Sequence, residues 1–283
     1  MREAPGAYHR RMRTASRWLL PLLTGLLLVL AWAGPLDEMA AGQSQAGLKR
    51  ALATFAAARA LNGAISVAQG TEVAVEPAGV GVTFAPGQVL DPVNDLVEQF
   101  STLMLTASVS FGVQGVLVAI GGHWLASLAL SAALLGWLAY RPWLPQSAPP
   151  PWLARVALLL LLVRFAVPLA ALGSDLCFRA FLADRYAASQ QALALGEREV
   201  SELAQPTEAP AESMGERVQR WWADARAAVD VEARLAALRE TATRVTEHVV
   251  ELIVVFLLQT LIVPTLLLWA LWRAALGLLA PRG

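Results

Sequence analysis

Hydrophobic positions fall into long runs separated by polar blocks, and the period changes from block to block. The first run, Trp18 to Ala33, follows five arginines, Arg2, Arg10, Arg11, Arg13 and Arg17. Positive charge ahead of a first apolar segment holds that end in the cytoplasm and sends the following residues across. Ala31-Trp32-Ala33 also has the small-x-small form of a signal-peptidase site. Retained anchor and cleaved signal peptide are the two readings of residues 1–34, and both place the next region outside.

From Asp37 to Leu61 the spacing of Leu48, Leu52 and Phe55 predicts an amphipathic helix that Asn62-Gly63 ends. Ala64 to Pro92 then turns β-branched, punctuated by Gly70, Pro77-Ala78-Gly79 and Pro86-Gly87, which predicts short strands joined by turns. Residues 35–91 thus read as an outer module of one helix plus strands. Asp91-Pro92 reads as an N-cap and first helical residue, opening a helix to about Ile120.

Three later runs, Trp124–Tyr140, Val156–Leu172 and Val249–Trp272, approach the roughly 20 residues needed to cross a hydrocarbon core. The helix over 92–120 is diluted by Ser101, Thr102, Thr106, Ser108, Ser110 and Gln114 and is the weakest span. Residues 92–174 form the membrane helices with a short Pro-rich loop. The polar block 175–247 reads as two helices around Gln205-Pro206-Thr207-Glu208-Ala209-Pro210, an antiparallel hairpin. Val218, Trp222, Ala225 and Val229, then Leu238, Ala242, Val245 and Val249, supply its seam. Residues 248–283 are a last span and basic tail. The fold class is an all-α multi-pass membrane protein with a small β-containing extramembrane insertion and a long extramembrane helical hairpin.

Composition agrees with that class. Of the 283 residues, 57% are hydrophobic and 16% charged, and the mean hydropathy is +0.52, so lipid must serve as part of the solvent. Lys+Arg and Asp+Glu are both 22, which argues against a nucleic-acid partner. One cysteine, Cys177, excludes an intrachain disulfide framework. A single lysine among many Ala, Leu and Arg residues suggests GC-rich bacterial coding and a bacterial inner membrane.

No phosphate loop, nucleophile elbow, zinc spacing or dinucleotide fingerprint occurs, so no cofactor, metal or catalytic residue is expected. His248 and Glu251 share a helix face but lack a second ligand pair. Arg164 is the one charge deep in a span and needs a polar partner or a water-filled cavity. Gln259, at a similar depth in an antiparallel neighbour, is the first candidate partner and Glu251 the second. Ser108, Gly112, Gly115, Ala119 and Gly122 recur at spacings of four and three, a face for close helix packing within the chain or between subunits. Trp18, Trp32, Trp124, Trp143, Trp152 and Trp272 fit interfacial belts. Trp221 and Trp222 diverge by roughly 100° on a helix. Trp222 suits the seam, which leaves Trp221 as an anchor for a partner.

These residues predict a non-enzymatic structural, assembly or interaction component. Its partners would be the bilayer, other membrane or periplasmic proteins, and a second copy of itself; a channel or transport subunit is the alternative. Basic flanks at 141–155 and from Arg273 place both termini in the cytoplasm and both modules in the periplasm, provided 92–120 is not a full crossing. Otherwise five spans result and the hairpin is cytoplasmic.

Overall fold

The computed structural model describes residues 21–69, 73–75, 82–84, 87–143, 150–203 and 216–279. Side chains of the two strands, of residues 216–235 and of several helix ends lie outside that description. The elements are α1 (Pro21–Ala33), α2 (Pro35–Gln69), β1 (Val73–Val75), β2 (Val82–Phe84), α3 (Gly87–Gly121), α4 (Trp124–Trp143), α5 (Pro151–Cys177), α6 (Ala183–Leu203), α7 (Glu216–Leu257) and α8 (Val263–Leu279). π-helical turns at Phe178–Leu182 and Leu258–Ile262 join α5 to α6 and α7 to α8 without a loop. The described residues are almost entirely helical, and among them four helical stretches are long and apolar enough to cross a membrane: Pro35–Gln69, Leu90–Gly121, Trp152–Glu202 and Ala236–Gly277.

Several boundaries differ from the sequence pattern. The β-containing insertion expected over 64–92 is not seen as such, because α2 runs on through Asn62 and Gly63 to Gln69 and α3 begins at Gly87. Among the described residues between them, three on each side pair, Val73 opposite Phe84 and Val75 opposite Val82. Asn62 does not stop α2, since its carbonyl continues the helix and also accepts from Ser66 Oγ at 2.8 Å. Asp91 does not cap α3 either; its carboxylate accepts from Gln69 Nε2 at 2.8 Å, tying the end of α2 to the start of α3. Asp175 and Glu247, taken as the limits of a polar block, lie inside continuous helices.

The chain divides into two compact units. Unit 1 comprises residues 1–46, 111–176 and 261–283. Its interior has two clusters strung along α5. Ala31 of α1 and Leu130, Ala133 and Leu134 of α4 meet Ala157 and Phe165. Farther along α5, Ala40 of α2 and Val118 of α3 meet Ala171. α8 approaches α5 closely, since a Cβ on Gly173 would lie 2.6 Å from Leu267 Cδ1.

Unit 2 comprises residues 47–110 and 177–260 and is built on heptads. In α3 the buried positions are Leu90, Val93, Val97, Phe100, Met104 and Ala107, at alternating spacings of three and four. α2 follows the same rule with Gly47, Ala51, Thr54, Ala58, Leu61 and Ile65. α6 repeats it with Ser189, Leu193, Gly196 and Val200, and α7 with Leu238, Ala242, Val245, Val249, Leu252 and Phe256. A 3.5-residue period keeps one stripe facing its neighbours along an entire helix, the packing of left-handed helical bundles. The second α7 seam predicted from sequence, Leu238 to Val249, is this stripe. α6 and α7 run antiparallel, as Ser189 opposite Glu251 and Glu199 opposite Thr241 establish, which is the hairpin expected from the polar block.

The α2 stripe is shifted from the predicted face. Leu52 is exposed and Leu48 and Phe55 half-buried, whereas the small neighbours Gly47, Ala51 and Thr54 turn inward. Small side chains let helix backbones approach, so contact surface and dispersion favour them at the seam even when larger residues stand beside them.

Candidate functional site

Arg164 is the centre of the most developed polar cluster. It sits about 20 Å along α5 from Pro151 at 1.5 Å per residue and is 1% exposed. Burial of an arginine is tolerated only when its charge is paired and most of its five donors are answered, and here four are. Nη1 donates to Asp37 Oδ1 at 2.7 Å and Nη2 to Asp37 Oδ2 at 2.5 Å, a bidentate pair of the strong, charge-assisted kind. Nη2 also donates to the Ala31 carbonyl at 2.8 Å, and Nε to Ser127 Oγ at 3.3 Å.

Each partner is positioned by a local feature of sequence. Gly34 adopts a left-handed φ of 65°, which separates α1 from α2 and is open to glycine at no steric cost. Pro35 begins α2, where a missing N–H is harmless. However, a proline four residues after Ala31 cannot donate to the Ala31 carbonyl, and a bare carbonyl in an apolar interior is costly. Arg164 and Ser127, the latter donating from Oγ at 2.9 Å, supply that carbonyl with donors. Asp37 stands in the first turn of α2, where a carboxylate is favoured by the helix dipole. The α3–α4 break at Gly121-Gly122-His123 lies alongside. A Cβ on Gly121 would come within 3.1 Å of the Val163 carbonyl, and one on Gly122 within 3.3 Å of the Asp37 carboxylate. Two interrupted helices and the middle of α5 therefore share one satisfied polar knot.

In place of the expected Gln259 or Glu251, Arg164 draws its partners from its own unit. Gln259 is buried within the π turn Leu258–Ile262 of unit 2. Glu251, in α7, accepts from Ser189 Oγ at 2.9 Å and lies 3.9 Å from Arg185 and 3.7 Å from His248 Nδ1. Ser189 Oγ is 3.2 Å from the same His248 nitrogen. The Ser189 hydroxyl donates to the carboxylate and is fully buried, so this trio ties α6 to α7 and does not prepare Ser189 as a nucleophile. Nearly three turns farther along α6, Glu199 accepts from Thr241 Oγ1 at 2.8 Å and Arg244 Nη2 at 2.6 Å. These residues edge a groove of about 230 Å³ floored by Gly196 and Val245.

The small-residue face of α3 is not used as one surface. Ser108 is buried, Gly115 approaches Ser44 and Gly122 approaches Asp37, whereas Gly112 has open space and Ala119 is exposed. A heptad seam ending in Gly121 takes the contact, because a 3.5 period follows bulky Phe100, Met104 and Phe111 as well as glycine. Trp32, Trp124, Trp152 and Trp272 are exposed, and Trp32 Nε1 donates to Ser131 Oγ at 3.0 Å. Trp18 and the side chains of Trp143, Trp221 and Trp222 lie outside the described residues. Among the described residues no three His, Cys, Asp or Glu side chains gather as metal ligands would.

Sequence reasoning missed Asp37 and Ser127. A signal was present, since Gly34-Pro35 beside the first apolar run marks a broken helix with an orphaned carbonyl, and Asp37 is the first acid after that run.

Helical architecture, four apolar stretches of crossing length and a charge closed off inside the interior define a multi-pass helical membrane protein. No family model, curated protein or solved structure matches the chain, so its own geometry carries the functional reading.

Proposed function

We propose that the protein is a non-enzymatic structural or assembly component of a bacterial inner membrane, acting through contacts with other membrane or periplasmic proteins or a second copy of itself. The observation that carries this reading is the Arg164 knot. A guanidinium that gives four of its five N–H donors to a carboxylate, a carbonyl and a hydroxyl of its own helices, and is itself 1% exposed, is turned inward and not toward a path for a permeating ion or substrate. It acts as a fastener at two helix breaks. The α6–α7 hairpin supports the same reading, because its polar side chains bond across the helix pair instead of converging on an open reaction site.

The test pairs affinity purification from gently solubilised membranes with electrical recording of the purified protein in planar bilayers. A stoichiometric companion protein or stable oligomer, together with a silent bilayer, is the expected result. Reproducible conductance that changes with Arg164→Gln would replace this reading with the channel alternative.

A further inference from the structure

We propose that unit 1 is the lipid-embedded body and that the chain crosses it four times, two of the crossings being single strokes made by pairs of helices broken inside the membrane.

α5 serves as a ruler for the helices packed against it. Leu130, Ala133 and Leu134 of α4 lie with Ala157 and Phe165, Ser127 and Gly121 lie with residues 163 and 164, and Val118 of α3 lies with Ala171. Passing from α3 into α4, the chain keeps descending α5 in one direction. A hairpin at Gly121–His123 would have sent α4 back toward Ala171. The first two helices behave alike in the opposite sense, since Ala31 lies level with Arg164 and Ala40 with Ala171. Thus α1 with the head of α2 is one stroke, and the tail of α3 with α4 is another. α5 and α8 supply the remaining two.

Lipid is the occupant that the surface chemistry selects. Large apolar side chains face outward on every one of these strokes, among them Leu26, Val116, Leu128, Leu159 and Leu266. Hydrocarbon also explains the knot, because a break in a membrane helix survives only where neighbours restore its backbone hydrogen bonds. Arg164 and Ser127 do that at the α1–α2 break by donating to the Ala31 carbonyl, and Asp37 holds the guanidinium in place. α2 reaches crossing length, but it is the least apolar of the four candidate stretches. Lys49, Arg50 and Arg59 divide it so that its longest uncharged runs, Met39–Leu48 and Ala60–Gln69, reach about half the roughly 20 residues a crossing needs.

Sidedness follows. The start of α1, the end of α4, the start of α5 and the end of α8 finish four alternating strokes at one face, and Arg17, Arg141, Arg155 and Arg273 flank them in sequence. Positive flanks mark the cytoplasmic side. Segments 70–86 and 204–215 then share the opposite, periplasmic side. This inference stands apart from the assembly reading, as sidedness is the same whether or not a companion protein is found.

The experiment is single-cysteine labelling in a Cys177→Ser background, with Gly79→Cys, Ser147→Cys, Ala209→Cys and Gly283→Cys each probed by a membrane-impermeant maleimide on bacterial spheroplasts. Positions 79 and 209 are expected to label before permeabilisation, and 147 and 283 only after it. Labelling of 209 but not 79 would mean that α2 and α3 each cross alone, and would overturn the proposal. So would labelling of 79 and 147 but not 209, the five-crossing arrangement, or labelling of 147 and 283 alone, the inverted orientation. Protease protection of epitope tags inserted at 79, 147 and 209 in the chain that keeps Cys177 gives the same reading if the background substitution lowers expression.

Discussion

Arg164 illustrates how a single buried charge depends on its surroundings. Its guanidinium and the Asp37 carboxylate, 18% exposed, are together acceptable in an apolar interior, but either one alone is not. Removing one member of such a pair costs about 3–5 kcal/mol, mainly through the charge left behind. Arg164→Leu should therefore lower the thermal unfolding temperature in detergent far more than Arg155→Leu, whose side chain is exposed. The double variant Arg164→Leu with Asp37→Leu should recover part of the loss, and failure to recover any of it would show that the Ala31 and Ser127 contacts matter more than the ion pair. The arginine itself was legible in the sequence as an anomaly needing a partner. Its partner was not, because Asp37 follows a helix break and looks, in one dimension, like an ordinary acid opening an extramembrane helix.

At the scale of elements, glycines distinguish seams from surfaces. A Cβ on Gly196 would sit 2.5 Å from Val245 Cγ2, and a β-branched side chain has little room to withdraw. Gly196→Ala should destabilise the α6–α7 pair by about 1–3 kcal/mol, the usual result of overpacking, measurable as faster hydrogen exchange in both helices. Gly112→Ala meets open space and should be neutral or stabilising by about 0.5–1 kcal/mol, since alanine is the better helix residue. If Gly112→Leu changed the oligomeric state by size-exclusion chromatography with light scattering, the small-residue face would regain a role between subunits. α1 bears on the N-terminal alternatives as well. Ala31 is helical, buried and bonded by Arg164 and Ser127, so intact-mass measurement of the purified protein is expected to retain it. A species beginning at Gly34 would contradict that. The heptad of α2 escaped the sequence reading because small and polar residues begin its seam while Leu52 faces outward, and that of α3 because Leu103 and Leu105 on the outer face are as apolar as Phe100 and Met104 in the seam, which leaves no contrast to read.

For the molecule as a whole, the outstanding prediction concerns partners. Trp221 lies on α7 beside Trp222, and a helix cannot bury both against one neighbour. Trp221→Ala is expected to reduce co-purification of the companion protein while leaving circular dichroism of the solubilised chain unchanged. Equal recovery from both proteins would remove Trp221 from the interface. By itself, the sequence determined that this is a helical chain using lipid as solvent, where its polar and apolar blocks lie, and that Arg164 must be answered from within. These follow from composition and period, which are local properties. Tertiary structure alone decided that uncharged residues on either side of Gly121–His123 belong to one stroke instead of two. It also decided that Asp37 answers Arg164 and that Gly47, Ala51 and Thr54, not Leu48 and Leu52, turn into the α2 seam. Hydropathy records how much apolar surface a segment carries but not the direction in which the chain next travels, and direction is fixed only when α3 and α4 are both laid against α5.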